Sequence, residues 1–271
     1  GSSCGCCHPG RGLCQGQLPD SAGAMSEVQL SIAVPAYNEE STIIATVEAM
    51  VAAFEPTGWT WEIVIADDAS RDNTWAILQD LAERFSGVRP VKNTGPGGYG
   101  MAVKAALAAT RGQAIVVAMA DGSDLPEDIV AYAHAILEEG YGCAFGSRFS
   151  NPERVEGYPP VKRILNRLGN RLIAWVAGRA YDDYTNGFKG WRRDVLESIQ
   201  PLVSADFNLT IEMSIKAVQR GATFKVIPNG WRDREGGESK FNIAKLGPRY
   251  LMTILYCVLD HKLRHAGARP R

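Results

Sequence analysis

Long apolar runs are missing from this chain of 271 residues. No stretch reaches the ~18 consecutive apolar residues of a membrane-spanning helix; the longest, Tyr250 to Leu259, is too short. Residues 1–24 lack the apolar core of a secretory signal. Cysteine is scarce in the body: Cys4, Cys6, Cys7 and Cys14 crowd the beginning, leaving only Cys143 and Cys257. Two isolated thiols make no disulfide framework and point to a reducing compartment, the cytoplasm. The Cys4/Cys6/Cys7/His8/Cys14 cluster matches no zinc spacing. None of the four histidines, His8, His134, His261 and His265, lies in a motif, which disfavours a Ser/His/Asp hydrolase or a histidine-based metalloenzyme. A net charge of −1 gives no reason to expect nucleic acid as a partner. Internal repeats are absent as well. The Gly-rich segment 95–100 is followed by no Gly-Lys-Ser/Thr, so it is not a Walker A loop. The turn after the first strand, Pro-Ala-Tyr-Asn-Glu, is not the Gly-rich turn of a dinucleotide-dependent dehydrogenase.

What is present is a regular alternation of strand and helix from residue 28 onward. Strands are predicted at Val28–Val34, Trp61–Ala66, Val88–Val91, around Ile115–Met119, and at Gly142–Gly146. The run Ile115–Met119 is apolar without alternation, as in a strand buried on both faces of a parallel sheet. Helices between them carry apolar residues at helical spacing, such as Ile43, Val47, Met50, Val51 and Phe54. Pro126-Glu127-Asp128 reads as a helix start. This pattern predicts an α/β fold: a mostly parallel sheet, Rossmann-like, with helices on both faces. Residues 1–25 read as a disordered N-terminal extension, with Met25 as a start. A single domain over 26–240 divides into a nucleotide-binding half, 26–148, and an acceptor half, 149–240. Residues 241–271 form a basic amphipathic helix and tail.

Later helices are predicted at 161–176, 209–220 and about 243–263, with a strand at 223–227. In the first of these Val161, Ile164, Leu165, Leu168, Leu172, Ile173 and Val176 are expected to face inward, with Lys162, Arg163, Arg167 and Arg171 largely outward. In the last, the apolar face is Ile243, Leu246, Tyr250, Ile254, Val258 and Leu259. Both helices suit either of two roles: lying in a lipid headgroup region, or covering the sheet as ordinary core helices.

Polar and acidic residues end the strands: Asn38/Glu39, Asp67/Asp68 and Asp121. Open α/β sheets place ligands in the crevice beyond those ends. Asp121 and Asp124 there would suit Mg²⁺ or Mn²⁺, which bind one or two carboxylates plus a substrate's phosphates; alternatively they are turn and cap residues. Gly97 and Gly98 either allow backbone amides to approach an anion at a helix start or simply permit a tight turn. Arg148 could clamp a phosphate, and Arg232, Arg234 and Lys240, in a loop with Gly236, Gly237 and Ser239, could close on the same anion.

Seven segments then recur in one order: VPAYNEE (34–40), ADDAS (66–70), Asn93–Gly100, the Asp121 segment, GSRF (146–149), DYTNGFK (183–189) and DREGGESK (233–240). In these the chain resembles the family-two glycosyltransferases of the GT-A fold, and most of all their dolichol-phosphate (polyprenyl-phosphate) mannosyltransferase branch. The resemblance covers residues ~28 to ~260. It implies that Pro35, Tyr37, Glu39 and Asp68 hold a nucleotide, with Asp67 helping or supporting the turn. It implies a metal, Mg²⁺ or Mn²⁺, on Asp121 with Ser123, and catalytic roles for Asp121, Asp183 and Arg234. Arg148, Arg234, Ser239, Lys240, Gly97 and Gly98 would contact phosphates of donor or acceptor. One departure stands out: where relatives carry Asp-x-Asp, this chain has Met119-Ala120-Asp121, so Asp124 or water would supply the second ligand.

The implied reaction is an inverting transfer of a hexose, mannose from GDP-mannose, to a polyprenyl or dolichyl phosphate. A phosphate monoester with a second pKa near ~6 is already ionised and needs positioning more than a base. For a sugar hydroxyl acceptor, Asp183 would be the base. The implied partners are a nucleotide-sugar donor, a polyprenyl phosphate and a membrane surface at its cytoplasmic face. Competing readings are UDP-glucose as donor, a soluble glycan or small molecule as acceptor, and a non-catalytic nucleotide-sugar-binding subunit.

Overall fold

Runs of β-branched and small apolar residues, each closed by a turn rich in Asp, Asn or Gly, fold as the strands of one sheet. The computed structural model describes residues 27–154, 160–230 and 243–267. The first half alternates strictly: β1 (Leu30–Ala36), α1 (Ile43–Phe54), β2 (Trp61–Asp67), α2 (Thr74–Arg84), β3 (Val88–Lys92), α3 (Tyr99–Ala109), β4 (Ala114–Val117), α4 (Pro126–Leu137) and β5 (Cys143–Ser147). The second half runs α5 (Pro160–Ala177), β6 (Lys189–Arg192), α6 (Arg193–Ser198), α7 (Asn208–Gln219), β7 (Phe224–Pro228) and α8 (Ile243–Gly267).

The sheet order is β3-β2-β1-β4-β6-β5-β7. Only β6 runs against its neighbours, pairing antiparallel with β4 and with β5. The other six strands share one direction. Their carboxyl ends, and the amino end of β6, therefore meet along a single edge. The chain moves outward from β1 to β3 and returns across β1 to β4, so a crevice opens between β1 and β4 at that edge.

Alternation along the strands divides the core in two. Ile32, Val34, Ile63, Ile65 and Val116 pack on α1, α2 and α4. Ala33, Val64, Ile115, Val117, Phe145 and Trp191 face the opposite side, towards α3, α7 and the inner stripes of α5 and α8. The sequence expectation of helices on both faces holds. Cys143 and Cys257 are both free and buried.

Two expectations about helix faces are corrected. On α5, Ile164, Leu165, Leu168 and Leu172 are exposed, and Trp175 is 80% exposed; among the described side chains Asn170, Ile173 and Ala177 go inward, with Val176 half-buried beside them. On α8, Ile254 and Cys257 are buried and Tyr250 and Val258 half-buried, while Leu251, Met252, Leu255, Leu259 and Leu263 face out. The physical reason is that α3 and α7 already cover this side of the sheet, so its marginal helices bury only a narrow stripe. A second apolar stripe is left over on each. The N-terminal extension and its cysteine cluster lie outside the described residues.

At the edge opposite the crevice, Glu62 is buried and accepts hydrogen bonds from Ser31 Oγ at 2.6 Å, Arg111 N–H at 2.6 Å and the guanidinium groups of Arg89 and Arg111. Burial alone would raise its pKa. The Ser31 hydroxyl, the Arg111 amide and the two arginines outweigh burial and hold it below its ordinary 4.5. A depressed carboxylate contributes stability above its unfolded pKa and loses it as pH falls through the folded value. Glu62→Gln is therefore expected to cost roughly 2 kcal/mol at neutral pH. It should also flatten the loss of thermal stability expected of the unaltered protein below pH 4.5, as followed by melting curves across pH.

Candidate active site

The crevice wall on the β1 side is built by two turns knitted together. Asn38 and Ala69, one after each strand, both adopt left-handed backbone, with φ of 55° and 57°. Asparagine tolerates that region; alanine does not, so strain sits where the two turns meet. Asn38 N–H donates to Ser70 Oγ at 3.0 Å, and Asn38 Oδ1 accepts Arg71 N–H at 2.8 Å. Glu39 N–H donates to Thr74 Oγ1 at 2.8 Å, and the Glu40 carboxylate accepts Asn73 N–H at 2.9 Å. Tyr37 stands on this rim, 40% exposed, with Pro35 buried below it.

Asp67 is buried behind the turn, and its carboxylate faces Ser70 N–H at 3.4 Å. Asp68 is half-buried and organises the Gly-rich loop: it accepts Asn93 Nδ2–H and Gly98 N–H, each at 2.7 Å. The amide of Gly98 is thus already spoken for in this state. Gly98 has φ of 132°, and a Cβ on Gly100 would lie 2.6 Å from the carbonyl carbon of Ala205. Packing against residue 205 accounts for glycine at 100, with or without a bound anion.

Across the crevice, Thr42, just before α1, and Thr46 within it donate to the Ala120 carbonyl at 3.3 and 3.0 Å, which fixes the backbone just before Asp121. Asp121 is partly exposed and accepts Ser123 N–H at 3.0 Å. Asp124 is buried and turns back to accept Met119 N–H at 2.9 Å, closing the loop on itself. Burial, with the negative charges of Asp121 and Asp128, pushes the Asp124 carboxyl up to about 7 against the opposing Met119 amide and Arg148. Among the described residues no group of three or more His, Cys, Asp or Glu forms a ready metal cage. One partly exposed carboxylate beside a second, charge-frustrated one fits Mg²⁺ or Mn²⁺ held jointly with substrate phosphates.

The far wall is the joint between β5 and β6. Arg148 donates to both oxygens of Asp183, Nε to Oδ2 and Nη2 to Oδ1, each at 2.8 Å. Its backbone N–H adds a third bond to the carboxylate at 3.1 Å, and the Thr185 hydroxyl a fourth at 3.3 Å. Asp183 is fully buried. The arginine and aspartate that sequence reasoning assigned to separate tasks are each other's partners. Beneath them Lys189, also fully buried, donates to Tyr184 O and Ser214 Oγ at 2.8 Å each. Burial pulls its pKa down to about 7, with the Asp183 charge opposing.

Sequence reasoning missed Asp128 and Arg154 as site-supporting residues. Asp128 accepts Gly230 N–H at 2.8 Å and an Arg154 guanidinium N–H at 2.9 Å, and Arg154 also donates to Pro228 O at 2.9 Å. These bonds pin the end of β7 to the first turn of α4. An acid at a helix start was the only signal, and helix starts favour acids anyway. Asp68, Asp121, Arg148 and Asp183 stand along one edge. Arg232, Arg234, Gly236, Gly237, Ser239 and Lys240 lie outside the described residues.

Comparison with known proteins gives three findings. A model of glycosyl transferase family 2 matches residues 31–200. Polyprenol monophosphomannose synthase of Mycolicibacterium smegmatis is 28% identical over 234 residues, which cover 84% of this chain and 86% of that protein. Dolichol-phosphate mannosyltransferase of Pyrococcus furiosus is 29% identical over 218 residues, 79% of this chain but 59% of that longer protein. Among solved structures, glucosyl-3-phosphoglycerate synthase of Mycobacterium tuberculosis, crystallised with Mn²⁺, UDP and glucosyl-3-phosphoglycerate, superposes with a TM-score of 0.63 at 21% identity, covering 85% of this chain and 80% of that one. The same enzyme with Mg²⁺ and UDP also gives 0.63. At this identity the structures show the fold, that of the GT-A enzymes.

The Arg148–Asp183 pair separates a structural carboxylate from a catalytic base. Asp183→Asn leaves a buried guanidinium facing a neutral amide and is expected to destabilise the protein by about 3 kcal/mol. An unchanged melting temperature alongside lost activity would mark Asp183 as a base instead.

Proposed function

Because the chain belongs to glycosyl transferase family 2, we propose that it transfers mannose from GDP-mannose to a polyprenyl phosphate, with inversion at the anomeric carbon. The nucleotide lies along the wall of Tyr37, Glu39 and Asp68, where backbone strain and paired turns hold a fixed surface. The diphosphate reaches Asp121, which with Ser123 and Asp124 would hold Mg²⁺ or Mn²⁺. When bound, such a cation stabilises the charge that develops on the departing nucleoside diphosphate. The glycines at 97 and 98 sit at the start of α3, where the helix N-terminus favours an anion. Arg234, Ser239 and Lys240 complete the phosphate contacts in this reading.

A phosphate acceptor attacks without help from a base, since its oxygens are ionised at neutral pH. That agrees with an Asp183 closed off by Arg148: the buried pair shapes the acceptor side and keeps it near electrical neutrality. The observation that carries the lipid-linked acceptor is the pair of leftover apolar stripes on α5 and α8, two helices that pack on one another. Trp175 is 80% exposed and Met252 67% exposed, with Arg167, Arg171, Lys262 and Arg264 exposed on the same helices. An apolar stripe bordered by cations suits the headgroup layer of an anionic membrane, where each basic residue adds about 1 kcal/mol. Among the described residues no helix is long and apolar enough to cross a membrane.

Two experiments test this reading. Labelled GDP-mannose is expected to transfer to polyprenyl phosphate in detergent or vesicles, and Asp121→Ala should lower turnover at least ~10³-fold with melting unchanged. Transfer to soluble glycans alone, or from UDP-glucose alone, would replace the substrate assignment. Leu255→Asp combined with Leu259→Asp is expected to abolish flotation with vesicles containing anionic lipid while leaving nucleotide binding intact; undiminished flotation would remove the membrane role of α8.

A further inference from the structure

Asn170, in the middle of α5, is fully buried on the same inner stripe as Ile173 and Ala177. Asparagine is a poor helix former, and a buried amide costs stability unless its polar atoms are bonded. An apolar residue would pack on that stripe at less cost. Here both amide hydrogens and the oxygen are used. Nδ2 donates to the Asn166 carbonyl, one turn back, at 2.9 Å and to Thr185 Oγ1 at 3.2 Å. Oδ1 accepts Thr185 N–H at 3.1 Å. A backbone carbonyl needs a donor opposite it and a backbone N–H an acceptor, so the partners fix which way the amide points.

Thr185 belongs to the loop that feeds β6, and its hydroxyl is where three elements meet. Besides Asn170, it lies 3.3 Å from Asp183 Oδ1, 3.4 Å from Arg148 Nη2 and 3.1 Å from Asn166 Oδ1. A second contact ties α5 to the end of β5: the Arg167 guanidinium sits over the Phe149 ring, 5.3 Å from its centroid. The helix thus grips Phe149, next to Arg148, and Thr185, two residues after Asp183. Leu165, Leu168 and Leu172 add nothing to that grip, since they face out. Apolar contacts along a narrow stripe are non-directional and set register loosely, whereas a satisfied polar contact sets it firmly.

We propose that Asn170 is a positioning residue for the acceptor: through Thr185 it holds the Arg148–Asp183 pair in register with α5. It touches no substrate itself. This rests on the transferase reading above, in which that pair shapes the acceptor side and the outer stripe of α5 meets lipid. The seat of the helix and the placement of the pair then form one mechanical unit. Misplacing groups at a reacting centre by about 1 Å can cost ~100-fold in rate, so a contact that sets register matters to turnover without joining the chemistry.

The test compares unaltered protein with Asn170→Leu, which keeps a similar volume and suits the apolar stripe. Transfer of labelled mannose from GDP-mannose to polyprenyl phosphate is followed in detergent with Mg²⁺, and GDP-mannose binding by calorimetry. In the variant kcat/KM for the acceptor is expected to fall about tenfold, the loss of a hydrogen-bonded anchor, while GDP-mannose binds as before. Thr185→Val approaches the same contact from the loop, removing the hydroxyl and keeping the N–H. It should show the same split to a smaller extent, and it decides the matter if Asn170→Leu does not fold. The loss in the double variant should fall short of the product of the single losses, because both remove one contact. Unchanged kcat/KM for the acceptor overturns the proposal. So does an equal weakening of donor and acceptor alongside lowered melting, which marks a merely structural amide, and so do losses that multiply. If the unaltered protein fails to transfer mannose to polyprenyl phosphate, the transferase reading fails and takes this inference with it; an active unaltered protein matched by its variants removes the role of Asn170 alone.

Discussion

Arg148 closing on Asp183 is the interaction around which the joint between β5 and β6 is arranged. A parallel sheet built by crossovers has no natural place for the strand β6, which enters from the crevice edge and runs backwards between β4 and β5. The loop that feeds it must turn at the rim, buried, with its polar groups satisfied. Arg148 at the end of β5 satisfies Asp183 with three donors, Asn186 reaches Gly146 O at 2.9 Å and Asn229 at 3.0 Å, and Lys189 holds Tyr184 O from beneath. Removing one charge from such a buried pair strands the other, which is why the joint acts as a unit.

Placing that pair at the rim also sets the electrostatics of the crevice. Asp183 and Arg148 cancel, so the excess negative charge resides on the opposite lip, at Asp121 and Asp124. Asp124 registers the consequence: buried, next to another acid, its carboxyl is pushed up to about 7. A lip of this kind calls for positive charge from a ligand-borne cation, whereas the far side can accept a substrate that brings its own charge. The two lips of the crevice thus differ in which carboxylate has an arginine and which does not.

Remote parts of the fold serve the rim in different ways. The Glu62 cluster holds the opposite edge of the sheet and takes no part in the crevice. The buried Glu212–Lys216 pair on α7 fixes the segment that stacks Phe207 on Tyr99, so a structural ion pair supports the first turn of α3 through an aromatic contact. On the same side of the sheet, α5 and α8 turn their surplus apolar stripes outward, which makes a surface for something other than the protein's own core.

The linear pattern determined the alternation of β1–α4, the register of apolar residues in each strand, and the acids waiting at the strand ends, because those depend on local periodicity and turn chemistry. Seven ordered segments were enough to bring out a resemblance to family-two glycosyltransferases. Local pattern has no access to partners distant in sequence. It could not pair Arg148 with Asp183, turn Asp124 back onto Met119, or give Asp128 the end of β7 to hold, since each contact joins elements that only the packed sheet brings together. Nor could it orient α5 and α8: their sequence shows an apolar face wide enough to serve a core or a surface. Only the tertiary arrangement, with α3 and α7 already occupying that side of the sheet, decided that most of it remains outside.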